Sequence, residues 1–389
     1  MKRIGNIIYK VIGVSVLLSL VLVAFGTASA KESIKIGMVA DFSGDYAFYD
    51  SMVRDGAQFA FDEINKAGGI LGRPLEFIVR DGRNEQNLSV RLTEEIISEG
   101  VSYIIGSCSQ PLVAMGVVAC KAGVPMSTGT STAPVLVRQM GSCGFQWVMT
   151  DDVQGAAAAK WAYGHGYRTV YLLQSTEYPY SKNLPLYFKD AFERLGGKVI
   201  GILQFRMFGG DFSAQVTKLA SLSPKPDAIF TPMFLPDPPP FMRQLRAAGV
   251  DIPVIGGDGM HDDAILEAGE AMEGVVFVGH GFPSKGNPMD ELYNRYKEAK
   301  GKFPAGTIFG LGYDEAYIVK ATIEATGSAE RSALLAALPN VKGFKGVTGE
   351  TNMNPQNHRA RRPGWIVKIK NGAFSLVDVV SPDYVPKVE

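Results

Sequence analysis

The apolar positions from Ile34 onward switch between two periods. Residues 34–40 read as a short, mostly apolar strand, and Val53, Ala57, Ala60, Phe61 and Ile64 then recur at the spacing of an amphipathic helix. Gly68-Gly69 ends that helix, and residues 75–79 read as a second strand. Leu88, Leu92, Ile96 and Ile97 share the next helical face. A strand at 101–105, a helix at 112–121 and a short strand at 124–126 follow. Strands alternating with helices of this length predict right-handed βαβ units and parallel sheets.

The rhythm restarts after Thr150. Helices at 153–163, 182–195, 213–222 and 238–248 alternate with strands at 169–174, 198–204, 227–231 and 253–255, and a strand at 275–278 closes the set. Helices at 289–299, 312–325 and 329–338 come next. Strands at 365–369 and 373–379, joined by Asn371-Gly372, read as a final hairpin. The pattern therefore predicts an α/β protein with two doubly wound units of similar size and chain crossings between them.

The first thirty residues stand outside this pattern. Lys2, Arg3 and Lys10 precede an uncharged, mostly apolar run that ends at Ala28-Ser29-Ala30, the order of features in a cleavable export signal. Its removal takes three of the 39 basic residues, leaving 36 against 39 acidic ones. A net charge near −3 gives no basic surface for nucleic acid or an anionic membrane. An exported chain meets an oxidising compartment, where Cys108, Cys120 and Cys143 allow one disulfide and one free thiol; the sequence does not choose the pair.

Catalytic signatures are missing. The glycine-rich runs Gly256-Gly257-Asp258-Gly259 and Gly310-Leu311-Gly312 do not complete a dinucleotide fingerprint, and the histidines at 165, 261, 280 and 358 have no ligand spacing. His261-Asp262-Asp263 reads as a solvated helix start and not as a metal site, because three adjacent residues cannot all face one ion. Cys108 reads as a small buried residue at a strand end. No cofactor and no metal are expected.

Ligands of open α/β sheets bind beyond the carboxyl ends of the strands, so the residues at those ends are the candidates. In the first unit the segments Ser107-Cys108-Ser109-Gln110 and Thr128-Gly129-Thr130-Ser131-Thr132 bring hydroxyls and backbone N–H groups to helix starts. Such groups suit a carboxylate. In the second unit Tyr178, Phe234 and Asp258 each follow a strand. An acid flanked by glycines suits a ligand ammonium, and Tyr49, Tyr178 and Phe234 offer an aromatic enclosure for an apolar stem.

The run from Phe59 to Leu75, with Gly68-Gly69-Ile70-Leu71-Gly72-Arg73 at its centre, resembles the periplasmic branched-chain amino acid-binding proteins of the leucine/isoleucine/valine type. Ser131-Thr132-Ala133-Pro134, Arg246-Ala247-Ala248-Gly249, Glu273-Gly274-Val275 and Met353-Asn354-Pro355-Gln356-Asn357 extend the resemblance over the whole mature chain. It implies the type I periplasmic binding fold, two lobes joined by three crossovers that close on a ligand. It also implies a periplasmic, monomeric receptor that delivers an amino acid, branched-chain or otherwise aliphatic, to the permease and ATPase subunits of an ABC importer. Residues 31–150 with 280–350 would form the first lobe, and 151–279 with 351–389 the second. By position, the resemblance puts carboxylate contacts at Ser109, Gln110, Thr130 and Thr132, the ammonium contact at Asp258, and the aromatic pocket at Tyr49, Tyr178 and Phe234. A partner for the family's usual disulfide is missing near Asn84. The same fold also takes amides, ureas and aromatic acids, for which Phe282 or Tyr313 would line the pocket, and a ligand sensor is a further alternative.

Overall fold

The computed structural model describes residues 32–387, so the expected signal segment at 1–30 lies outside the described residues. The first sheet contains β1 (Ile34–Ala40), β2 (Leu75–Asp81), β3 (Tyr103–Ile105), β4 (Met126–Ser127) and β5 (Gly144–Phe145). All are parallel, in the order β2-β1-β3-β4-β5. Helices α1 (Ala47–Lys66), α2 (Gln86–Ser98), α3 (Leu112–Lys121) and α4 (Val135–Met140) connect them. The inner strands β1 and β3 are nearly all apolar because helices cover both faces of the sheet.

After Thr150 the chain enters a second sheet. Helices α5 (Asp151–Gly164), α6 (Pro179–Arg194), α7 (Ser213–Ser221) and α8 (Pro238–Ala247) join β6 (Thr169–Gln174), β7 (Lys198–Gln204), β8 (Ala228–Thr231), β9 (Val254–Gly256) and β10 (Val276–Gly279). The parallel part runs β7-β6-β8-β9-β10, the same winding as the first sheet. Helices α9 (Pro288–Lys300), α10 (Ile308–Thr326) and α11 (Arg331–Ala337) then pack back on the first core. A three-stranded antiparallel sheet follows, made of β11 (Phe344–Gly346), β12 (Gly349–Asn354) and β13 (Arg359–Arg361). The final hairpin β14 (Gly364–Lys370) and β15 (Ala373–Val380) adds antiparallel to β10. The chain thus passes between the lobes three times, between 145 and 151, 279 and 288, and 361 and 364.

The last crossing differs from the expected one at 350. Met353 and Ala360 are buried in the core of the first lobe, and Gln146 bridges to Arg359, so residues 351–361 pack with that lobe. The polar sequence of β12, Gly-Glu-Thr-Asn-Met-Asn, has too little apolar alternation to mark it as a strand.

Two glycines explain how α1 and α10 approach in the first core. A Cβ on Gly56 would fall 2.0 Å from the Phe309 carbonyl oxygen, and one on Gly312 would fall 2.1 Å from that of Val53. The helices touch backbone to backbone at these points. Alanine favours a helix over glycine by about 1 kcal/mol, yet the clash is with main chain that cannot rotate away. Gly312→Ala should therefore lower the unfolding free energy by about 1–3 kcal/mol in urea titration; equal or greater stability would reject the close crossing.

The thiols also separate. Cys120, at the end of α3, donates to the Cys143 sulfur just before β5 at 2.7 Å, whereas Cys108 borders the interlobe cleft. In oxidised, denatured protein an alkylating reagent should find one thiol, Cys108, and after reduction three. Recovery of a peptide joining Cys108 to either other cysteine would contradict this pairing.

Candidate functional site

In both lobes the strand order reverses direction beside the first strand, at β1/β3 and at β6/β8. Connections from those strand ends go to opposite faces and leave a crevice. The two crevices face each other across a cleft of about 390 Å³. All eight residues expected from the sequence, Tyr49, Ser109, Gln110, Thr130, Thr132, Tyr178, Phe234 and Asp258, border it. Phe282 and Tyr313 do not; the Tyr313 hydroxyl donates to Glu63 of α1.

The first-lobe wall is organised by a carboxylate that the sequence analysis missed. Asp50, fully buried in the first turn of α1, accepts hydrogen bonds from the Asp41 and Cys108 amides, each at 2.9 Å, and from the Ser107 hydroxyl. Burial pushes its carboxyl up to about 6 against the lowering effect of those donors. The loops after β3 and β4 are pressed together by glycines. A Cβ on Gly106 would meet the Ser127 carbonyl at 2.0 Å, and one on Gly129 would meet the Gly106 carbonyl at 2.4 Å.

The amides of the 107–110 loop were expected to be open to an anion, and three of them are not. Cys108 N–H goes to Asp50, Ser109 N–H to the Ser107 hydroxyl at 2.9 Å, and Gln110 N–H to the Asn84 side chain at 3.0 Å. The Ser109 hydroxyl lies 2.7 Å from that of Ser107, and the buried Thr130 hydroxyl has no hydrogen-bond partner. An unpaired buried hydroxyl costs stability unless something else satisfies it.

The second-lobe wall is aromatic at its mouth and charged at its floor. Phe234 is the hub: Tyr49, Tyr178, Tyr180 and Phe208 meet it edge-on at centroid distances of 5.6–6.5 Å. Tyr49 belongs to the first lobe, and its hydroxyl reaches the Gly259 carbonyl at 3.4 Å, so one ring bridges the cleft. On the floor, Asp258 Oδ1 accepts from Gln154 Nε2 and Oδ2 pairs with His280 Nε2, both at 2.8 Å. Burial alone would raise the Asp258 carboxyl, but His280, Gln154 and Tyr180 together hold it below the usual range, as a carboxylate. Nearby Asp151 is also fully buried, neither of its oxygens has a hydrogen-bond partner, and burial raises it well above the ordinary range. The charge on the floor therefore sits on Asp258.

Tyr46, Cys108 and Tyr180 also line the cleft and were not chosen from the sequence. Burial and then the Asp50 carboxylate push the Cys108 thiol well up, which makes it a poor nucleophile. His280 sits at the end of β10, where the strand-end rule would have found it; Gln154, 104 residues from Asp258, carried no such signal. The expected solvated helix start at 261–263 is corrected. His261 and Asp262 are buried, with Thr307 bonded to the imidazole and Asp262 capping Ala264. Among the described residues no group of acids, histidines and cysteines could hold a metal ion.

Two like-wound α/β lobes, hinged by three crossings around an apolar cleft with polar ends, define a solute receptor of the type I periplasmic binding class. The chain belongs to the periplasmic binding protein family, whose pattern matches residues 33–373. It is 28% identical over 331 residues to the Leu/Ile/Val-binding protein BraC3 of Rhizobium johnstonii, covering 82% of this chain and 87% of that one. A solved leucine-binding protein, LivK of Thermotoga maritima, is 30% identical with a TM-score of 0.80, covering 90% of this chain and 99% of that one. LivJ of Streptococcus pneumoniae, solved with isoleucine, is 25% identical with a TM-score of 0.81, covering 90% and 100%. The resemblance drawn from the sequence holds, and with it the fold and the role of a substrate-binding receptor, not an enzyme, in an ABC importer.

Replacing Asp50 with alanine removes the acceptor of two buried amides and a hydroxyl. Asp50→Ala should lower the unfolding free energy by about 1–3 kcal/mol or more, read by chemical denaturation. A wild-type midpoint would mean that the carboxylate does not organise this wall.

Proposed function

We propose that this receptor binds an α-amino acid with an aliphatic side chain, held by its two charged ends across the cleft. Asp258 carries the reading: it is a buried carboxylate that borders the cleft from between two glycines and faces the hydroxyls of the other lobe. The ligand ammonium would sit on Asp258. The carboxylate would be held by the hydroxyls of Ser109, Thr130 and Thr132, with Gln110 at the rim, and the side chain would lie among Tyr49, Tyr178 and Phe234. Ligands of this kind are named for the relatives BraC3 and LivK, and isoleucine for LivJ.

A ligand that touches both lobes favours the closed arrangement through its differential affinity for it. Closure presents one surface built from both lobes to the permease, which with its ATPase subunits would receive the solute. Export by removal of residues 1–30 and action as a monomer in the periplasm complete the reading.

Asp258→Ala should weaken leucine binding by about 2–5 kcal/mol, the usual cost of stripping one partner from a buried charge pair. Isothermal calorimetry with leucine, isoleucine and valine checks it. Undiminished affinity in the variant would remove Asp258 from the ammonium site.

A further inference from the structure

Asp258 reaches the cleft from a short turn after β9, and one side chain grips that turn at two points. Gln154 Nε2 donates to Asp258 Oδ1 at 2.8 Å, and Gln154 Oε1 accepts from the Asp258 backbone N–H at 2.7 Å. A primary amide carries a donor and an acceptor side by side, so a single neutral group holds both the side chain and the main chain of one residue. The carboxyl cannot swing about its Cα–Cβ bond without breaking the first contact, and the second holds the backbone that carries it. The amide has only one productive orientation, because the N–H needs an oxygen and the carboxylate needs a donor.

The base of this clasp is fixed. Gln154 is wholly buried on the first turn of α5, where the chain enters the second lobe. Gly155 beside it lets α5 press on α6, since a Cβ there would fall 2.7 Å from the Phe188 amide nitrogen. Gly257 makes room at the other end: a Cβ on it would strike Gln154 Oε1 and the Tyr180 hydroxyl. Its φ of −94° is open to any residue, so the side chains that reach past it are what require glycine. His280 Nε2 pairs with the other carboxylate oxygen at 2.8 Å. Each oxygen keeps a further lone pair, and of Gln154, His280 and Asp258 only Asp258 borders the cleft.

We propose that Gln154 is the positioning residue of the ammonium site: it fixes the Asp258 carboxylate at the cleft floor and so sets the preference for acids that carry an amine over those that do not. This deepens the amino-acid reading and rests on it. A carboxylate already held in place meets an ammonium without first losing rotational freedom, and the charge-assisted bond keeps its full strength. A group placed by a helix is also held more closely than one placed by a turn alone. Without Gln154 the turn loses both grips, and the ammonium has to order the carboxylate as it binds. The ligand carboxylate, held by the other lobe, does not feel the loss.

The probes are leucine and 4-methylpentanoate, the same skeleton without the amine, compared by displacement calorimetry. The variant is Gln154→Met, which keeps the length of the side chain and lacks the amide. It should weaken leucine about ten-fold, the loss expected of one hydrogen bond to a charged group, and 4-methylpentanoate by less than about three-fold. Equal weakening of the two probes marks a merely structural role and overturns the proposal, as does unchanged or tighter leucine binding. Preference for leucine lost in Asp258→Ala but kept in Gln154→Met overturns the positioning role and leaves the amino-acid reading standing. A wild type that binds leucine no better than 4-methylpentanoate overturns both. Gln154→Ala, with the same outcomes, replaces a Met variant that does not fold. In the wild type itself, the NMR signal of the Gln154 side-chain amide should move with leucine and stay in place with 4-methylpentanoate; equal movement rejects the clasp.

Discussion

The first-lobe wall depends on one buried carboxylate. Asp50 is wholly removed from water, a placement that costs several kcal/mol for an unpaired charge. Two amides and a hydroxyl from the loops after β1 and β3 offset that cost. In doing so it occupies donors that an incoming anion would otherwise take. The Cys108, Ser109 and Gln110 amides are already bonded, and the hydroxyl residues Ser109, Thr130 and Thr132 border the cleft beside them. The close backbone contact at Gly106 and Gly129 sets those hydroxyls side by side, since any side chain there would drive the two loops apart.

The second lobe repeats the arrangement with its own carboxylate. Asp258 is held from behind by His280 and Gln154 and is open only toward the cleft. The two acids differ in what surrounds them. Asp50 is enclosed and pushed up by burial, whereas Asp258 has donors enough to remain charged. One is structural and the other faces the cleft, and the same winding in both lobes brings each to the carboxyl edge of its sheet. Phe234 and the rings around it fill the space between, with Tyr49 reaching over from the opposite lobe.

How legible the cleft was in the sequence follows from where its residues sit. Residues directly after a predicted strand, such as Ser109, Thr130, Tyr178 and Asp258, were found because a parallel α/β sheet exposes only that edge to a ligand. Tyr46 and Tyr180 were passed over although each lies within three residues of a chosen tyrosine. Which of two neighbouring rings turns inward depends on the local turn. Asp50 looked like one more acid in a first helical turn, and its burial appears only once β3 packs beside β1. The small antiparallel sheet at 344–361 was missed for a related reason. Its polar strands reach the core through Met353 and Ala360, with Phe344 partly buried against it, a signal too sparse to read as periodicity.

The sequence by itself determined the alternation of strands and helices, the restart after Thr150 and the kinship with branched-chain amino acid receptors, because apolar period and turn residues are local properties. It determined as well which loops would border the cleft. Only the tertiary structure decided that the amides of residues 108–110 are already bonded, that Cys120 lies against Cys143, that residues 351–361 pack with the first lobe, and that Asp258 is shared with His280. Each of these joins residues distant in the chain, and such distances are set by packing of whole layers, which no local pattern encodes.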